Sequence, residues 1–188
     1  PIFDGSNNNE GINKIDISEA VVYNKLAEIN VNKCIGVDDL HPKLLYELRT
    51  ELVKPLCALF NLSVETARLP QDWRDANVTP LFKKGSRNMA ENYRPISLTS
   101  KVGKILESII KDSIVSHLEK YSFIRDSQHG FRKGRSCLTN LLDFMRMITQ
   151  YLDEGQPVDL IYLDYAKAFD KVPFARLFKK LTSHGIGG

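Results

Sequence analysis

The run Val158-Asp159-Leu160-Ile161-Tyr162-Leu163 ends in Asp164, within VDLIYLDYAKAFDKVP. A carboxylate at the end of a central strand, where the chain turns, is a usual place for a metal-binding or catalytic acid in an α/β enzyme. The same position suits an N-cap for a helix starting near Ala166, and the residues alone leave both readings open. Asp170, six residues on, shares neither a helical face nor a strand alternation with Asp164 and reads as a structural acid. Two-metal phosphoryl transfer recruits several acidic groups around ions about 4 Å apart. No Asp-Asp pair follows Asp164, and the adjacent acids before it are Asp38-Asp39 at a helix entry and Asp153-Glu154 at a helix end. The partner acids are therefore expected from elsewhere in a longer chain, a reading that the initial Pro1 and the closing GIGG also suggest.

Cations supply the second kind of chemistry. Lys83, Lys84, Arg87 and Arg94 flank a polar connection, KKGSRNMAENYR, which as a flexible arm would fold onto a triphosphate; Arg would grip it bidentately and Lys as a point charge. Tyr93 stands beside Arg94 as a stacking support. The plainer alternative is a lysine-rich hairpin that keeps a sheet edge soluble. The octet from Gln128 to Arg135, QHGFRKGR, combines two glycines, one aromatic ring and three cations. That composition allows close approach of a nucleic-acid backbone with base stacking, and equally describes an ordinary loop.

These residues need elements to hold them. Asp16, with Glu19 three residues on, resembles a capping box, and Val21, Val22, Leu26 and Ile29 then share a helical face. Pro42 fits a first helical position before Leu44, Leu45, Leu48, Leu52 and Val53, and Pro55 is expected to restart a second segment carrying Leu56, Leu59, Phe60 and Val64. Ala76–Phe82 reads as a strand that Pro80 confines to an edge or a bulge, paired with a second strand at Pro95–Leu98. Ser100 is placed to cap a long helix with Val102, Ile105, Leu106, Ile109, Ile110, Val115 and Leu118, and Ser136 another with Leu138, Leu141, Leu142, Met145, Ile148 and Leu152, stopped at Gly155. Val158–Leu163 reads as a strand buried on both faces. Helix, strand and helix point to an α/β or α+β chain, rich in helix with a short sheet.

The 188 residues, 43% hydrophobic and 26% charged with mean hydropathy −0.25, are those of a globular chain able to bury a core. No apolar run reaches the roughly 18 residues of a membrane helix, and PIFDGSNNNE has no signal core, so no membrane partner and an intracellular setting are expected. Cys34, Cys57 and Cys137 match neither a disulfide framework nor zinc spacing and read as reduced packing residues. The formal net charge of +3 is unevenly spread: residues 1–72 carry −4, residues 73–135 carry +7 and residues 136–188 balance. So basic a middle suits phosphate, because neutralised phosphates release counterions; a solvated face is the simpler explanation.

ANVTPLFKKGSRNMAENYRPISLTSKVGKILE, SQHGFRKGRSCLTNLL and DLIYLDYAKAFDKVP resemble, in order and spacing, the first motifs of the reverse transcriptase of non-LTR retrotransposons, most like LINE elements of the jockey and chicken-repeat type. NKCIGVDDLHPKLLYELRTELVKPLCALFNLSVETARLPQDWRDA similarly resembles that family's N-terminal extension of the fingers, so the likeness covers residues 15–188. It implies a right-hand polymerase, truncated: a lead-in at 1–15, a helical extension at 16–72, fingers at 73–155 and the start of a palm at 156–188. Asp164 matches the first palm aspartate, a Mg²⁺ ligand joined by the backbone carbonyl of Tyr165, with Mn²⁺ as a substitute ion. Phe169 matches the gate under the incoming sugar, whose ring leaves room for a 2′-hydrogen and none for a 2′-hydroxyl. Lys83 and Arg94 match the residues that grip the triphosphate. Gln128, Gly130, Phe131 and Arg132 match a motif lining the template and nucleotide pocket.

Two departures stand out. The family usually shows Gly-Pro-Asp-Gly where this chain has Gly36-Val37-Asp38-Asp39, and no aromatic-x-Asp-Asp sequence occurs. The resemblance implies RNA-directed DNA polymerase activity on an RNA template, a DNA primer or target and dNTP, in cytoplasm and nucleus. The rest of the palm, a thumb and an upstream endonuclease domain would belong to the same polyprotein, and this chain alone is expected to be inactive. The rivals are a non-catalytic nucleic-acid-binding scaffold, or decayed element, and a helical protein-interaction domain.

Overall fold

A computed structural model describes residues 11–12, 14–165 and 168–187, which gather into two units, one of residues 14–115 and one of residues 116–187 with 11–12. Most of the expected lead-in, residues 1–10 and 13, lies outside the described residues, as does Ala166.

The unit 14–115 owns the core. Helix α1 (Glu19–Ala27) buries Val22 and Leu26 completely, α2 (Pro42–Glu47) buries Leu45, and α3 (Arg49–Thr66) buries Val53, Leu56 and Phe60 along one face. They meet Val102, Ile105, Leu106 and Ile109 from α5 (Lys101–Lys120). Each such side chain stabilises by about 1.5–3 kcal/mol on full burial. Between α3 and α5 lie α4 (Gln71–Arg74) and a two-stranded antiparallel sheet, β1 (Ala76–Phe82) and β2 (Tyr93–Thr99). Trp73 of α4 packs edge-on to Phe60 at 5.7 Å, and a Cβ on Gly103 would meet the same indole at 3.2 Å. A small residue at 103 thus lets α5 approach the ring.

Three expectations are corrected here. Helix α1 begins at Glu19 with Ser18 as N-cap and no side-chain cap bond, so the Asp16 capping box does not form. Instead Ile17 is buried and its carbonyl accepts hydrogen bonds from Asn61 Nδ2 and Cys57 Sγ, both at 3.0 Å, which hold this stretch outside the helix. The helical break falls at Leu48 and not at Pro55, which lies inside α3. Pro55 cannot donate to the fourth carbonyl back, yet the burial of Val53, Leu56 and Phe60 on either side keeps the helix continuous. Cys57 packs as expected, whereas Cys34 and Cys137 are exposed; all three are free.

The sheet agrees with the sequence: Pro80 faces Pro95 in an unbroken register from Ala76↔Thr99 to Phe82↔Tyr93, and with two strands both are edges. Ser100 caps α5 through Gly103 N–H at 3.1 Å.

In the unit 116–187, α6 (Cys137–Asp153) starts with the expected Ser136 cap, its Oγ accepting from Thr139 N–H in a reciprocal capping box, and ends before Gly155 at φ 69°. Helix α7 (Phe174–Ser183) follows. In the same unit His117, whose Nε2 lies 2.6 Å from the His184 carbonyl, packs its ring against Tyr121 and Phe123. Val158–Leu163 forms no strand, and Ile161, Tyr162 and Leu163 are 76–83% exposed, against the expectation of a doubly buried strand. A strand needs ladder partners for its N–H and C=O groups, and among the described residues β1 and β2 form the only ladder, which does not include this stretch. Among the described residues no helix is long and apolar enough to cross a membrane.

Candidate functional site

Lys83 and Arg94 are brought together by the hairpin. Arg94 sits opposite Leu81, and the Lys83 N–H continues the ladder to the Asn92 carbonyl at 2.8 Å. The period-two alternation then puts Lys83 on the Leu81–Arg94 face, where both cations are exposed. Tyr93 projects to the other face, so it does not support Arg94. Its ring meets Phe82 edge-on at 5.4 Å and its hydroxyl donates to the Arg87 carbonyl at 2.9 Å. The cation that stacks is Arg87, 5.3 Å from the centre of the Phe82 ring. Gly85, at φ 90°, makes the turn between them.

The second group lies in the unit 116–187. Gln128 Nε2 donates to the Gly130 carbonyl at 3.1 Å, folding the loop on itself. Phe131 follows at φ 61°, a left-handed conformation uncommon for a bulky residue, with its ring 91% exposed. The ring nonetheless meets Phe169 at 6.1 Å and 86°, an edge-to-face pair linking the residues from two separate motifs. Arg132 is turned inward: its Nη1 donates to the Arg125 carbonyl at 3.2 Å and lies 3.7 Å from Asp126. Its charge organises the loop, leaving Phe131 and Lys133 as the loop's outward groups.

Asp164 and Tyr165 lie in the irregular, exposed stretch before residue 166. A carboxylate and a carbonyl oxygen are hard donors suited to Mg²⁺. Among the described residues, however, no group of three or more acids, histidines or cysteines forms around Asp164.

Of the residues that brace the loop, the sequence did not single out Thr139 and Asp143. His129 is buried, with Nε2 3.1 Å from Asp143 Oδ2 and Nδ1 2.9 Å from Thr139 Oγ1, and Arg135 reaches the same Asp143 oxygen at 3.5 Å. Thr139 and Asp143 are four apart on α6 and share a face. The Ser136 cap fixes where that face begins, which is the signal that would have pointed to them.

Residues 82–188 match the family described as reverse transcriptase (RNA-dependent DNA polymerase). The chain belongs to this family. Its helix-rich architecture with a small antiparallel sheet is that of a partial reverse-transcriptase-like domain. Three Drosophila melanogaster proteins are among its relatives. The probable RNA-directed DNA polymerase from transposon BS is 26% identical over 161 residues, covering 85% of this chain and 18% of that protein. The probable RNA-directed DNA polymerase from transposon X-element is 28% identical over 142 residues, 75% of this chain and 16% of its own length. The RNA-directed DNA polymerase from mobile element jockey is 25% identical over 152 residues, 80% and 17%. The chain thus spans under one fifth of the length of these curated relatives.

Proposed function

We propose that this chain contributes the triphosphate-gripping hairpin, the template loop and the first palm carboxylate of the RNA-directed DNA polymerase of a non-LTR retrotransposon, acting on an RNA template, a DNA primer and dNTP. The observation that carries the reading is the edge-to-face pairing of Phe131 with Phe169, which brings together, within one unit, residues of two separate motifs that both lie inside the family match. The Lys83–Arg94 face supports it with two cations for a triphosphate.

Asp164 and the Tyr165 carbonyl would help hold Mg²⁺, and Mn²⁺ as a substitute. Bound there, such ions supply activation of the primer 3′-hydroxyl and neutralisation of charge on the leaving pyrophosphate. Lys83 and Arg94 orient the triphosphate for in-line attack, and the Phe169 ring excludes a 2′-hydroxyl. By itself the chain is expected to turn over no nucleotide, because one carboxylate does not hold two divalent ions.

The test is primer extension on RNA, with the 188-residue chain beside a reading frame lengthened through the following palm and copies carrying Asp164→Asn or Phe169→Val. Extension by the longer protein alone, lost in Asp164→Asn and accepting ribonucleotides in Phe169→Val, is the expected result. Silence of the longer protein with retained RNA binding would instead favour a scaffold.

A further inference from the structure

A pocket of about 280 Å³ in the unit 14–115 is lined by Lys25, Lys33, Lys101 and Lys104 and by one carboxylate, Glu28, which lies beside Lys25, with Ile29 and Ile105 among its apolar wall. The lysines converge from three places: α1, the connection after it, and the first turn of α5, where positions 101 and 104 share a face. Lys25 is already neutralised, bonded to Asp112 and 3.8 Å from Glu28. Lys33, Lys101 and Lys104 make no ion pair among the described residues. The nearest acid of the α5 entry, Asp38, is occupied by Ser100 Oγ at 2.6 Å and Lys101 N–H at 3.2 Å.

We propose that this pocket is a phosphate-binding site in which Lys33, Lys101 and Lys104 hold the anion and Asn30 and Ser108 border it. A carboxylate has two oxygens to offer, whereas three ammonium groups and two neutral polar side chains match a phosphate group with three or four. The Lys101 ammonium is already pushed below its ordinary range, first by burial and then by the like charges of Lys104 and Lys33. A bound anion relieves that repulsion. The polymerase reading gives none of these side chains a role, so the site is tested separately from it. The phosphate would come either from a nucleic-acid backbone or from a free polyphosphate.

Binding of inorganic pyrophosphate and of a labelled single-stranded oligoribonucleotide to the chain separates these sources. Lys101→Gln/Lys104→Gln is compared with Lys14→Gln/Lys54→Gln, an equal loss of charge at exposed positions away from the pocket. The pocket variant should lose about tenfold or more in affinity for at least one probe, because charge-assisted bonds are removed, while the control pair stays within twofold. A strand source lowers the slope of log K against log salt by about 1.4 for RNA, at roughly 0.7 per phosphate contact. A polyphosphate source weakens pyrophosphate alone. Equal effects of the two pairs, or unchanged affinity for both probes, would overturn the site. Lys33→Gln, outside any helix, repeats the test without touching α5, and unchanged thermal midpoints establish that the variants are folded.

Discussion

Asp39 sits at φ 53°, in the left-handed region that glycine enters without strain. Gly36, just before it in the chain, has no room for a Cβ, which would fall 2.4 Å from the Thr99 carbonyl oxygen. Left-handed backbone costs an L-residue about 1–2 kcal/mol, less for Asp, and glycine adds chain entropy to the unfolded state. Asp39→Gly should therefore raise stability by up to about 1 kcal/mol, measured by urea unfolding. The Lys25–Asp112 pair gives a pH signature. Its hydrogen bond from Lys25, with a smaller one from Lys111, holds the Asp112 carboxyl below its ordinary 3.8 despite partial burial. A depressed folded value means stability is present above the unfolded value and is lost as pH falls from there through the folded one. Asp112 is 48% exposed, so the effect is at most about 1 kcal/mol. Comparing urea midpoints at pH 5 and pH 2.5 should show a smaller acid loss in Lys25→Met than in the parent. At this scale the hairpin that carries Lys83 and Arg94 was legible from its turn residues, while the inward contacts of Arg132 were not, because composition does not reveal which cation a loop folds over.

The α5 entry shows how one element is fixed by a residue far away in sequence. Ser100 caps Gly103, and Asp38 Oδ2 accepts from both Ser100 Oγ and Lys101 N–H, so two first-turn amides depend on two side chains that bond each other. Ser100→Ala should cost about 1–2 kcal/mol, and Asp38→Ala a similar amount. The double variant should cost less than their sum by about 0.5 kcal/mol or more, since the two share a bond. Additive losses in denaturant titrations would separate the two caps. Ser100 and Ser136 were readable as caps from local sequence; Asp38 was not, because its partner lies 62 residues away. Pro55 was misread for a related reason, since a proline signals a break locally and the core contacts of its neighbours are non-local.

On the scale of the molecule, every buried hydrophobic side chain among the described residues lies in the unit 14–115. Helix α6 presents Leu138, Leu141, Leu142, Met145 and Leu152 at 49–63% exposure, and Phe174 and Phe178 of α7 are also exposed. Amide hydrogen exchange should be slowest in α1, α3 and residues 102–109, and markedly faster in α6 and α7. Comparable protection in all of them would contradict this. The same apolar surface predicts concentration-dependent association in sedimentation experiments. The helices were legible because their stripes carry period 3.6, but periodicity says which face is apolar, not what covers it. Val158–Leu163 has the composition of a buried strand and, among the described residues, pairs with no neighbour that would make it one. The hairpin has the opposite character. Pro80 faces Pro95 between the hydrogen-bonded rungs, as the bond from Lys83 to Asn92 sets the alternation, so each missing N–H belongs to an outer margin. Both margins are therefore interrupted at the same level, and a third strand, including one from a growing fibril, finds no continuous row of donors on either side.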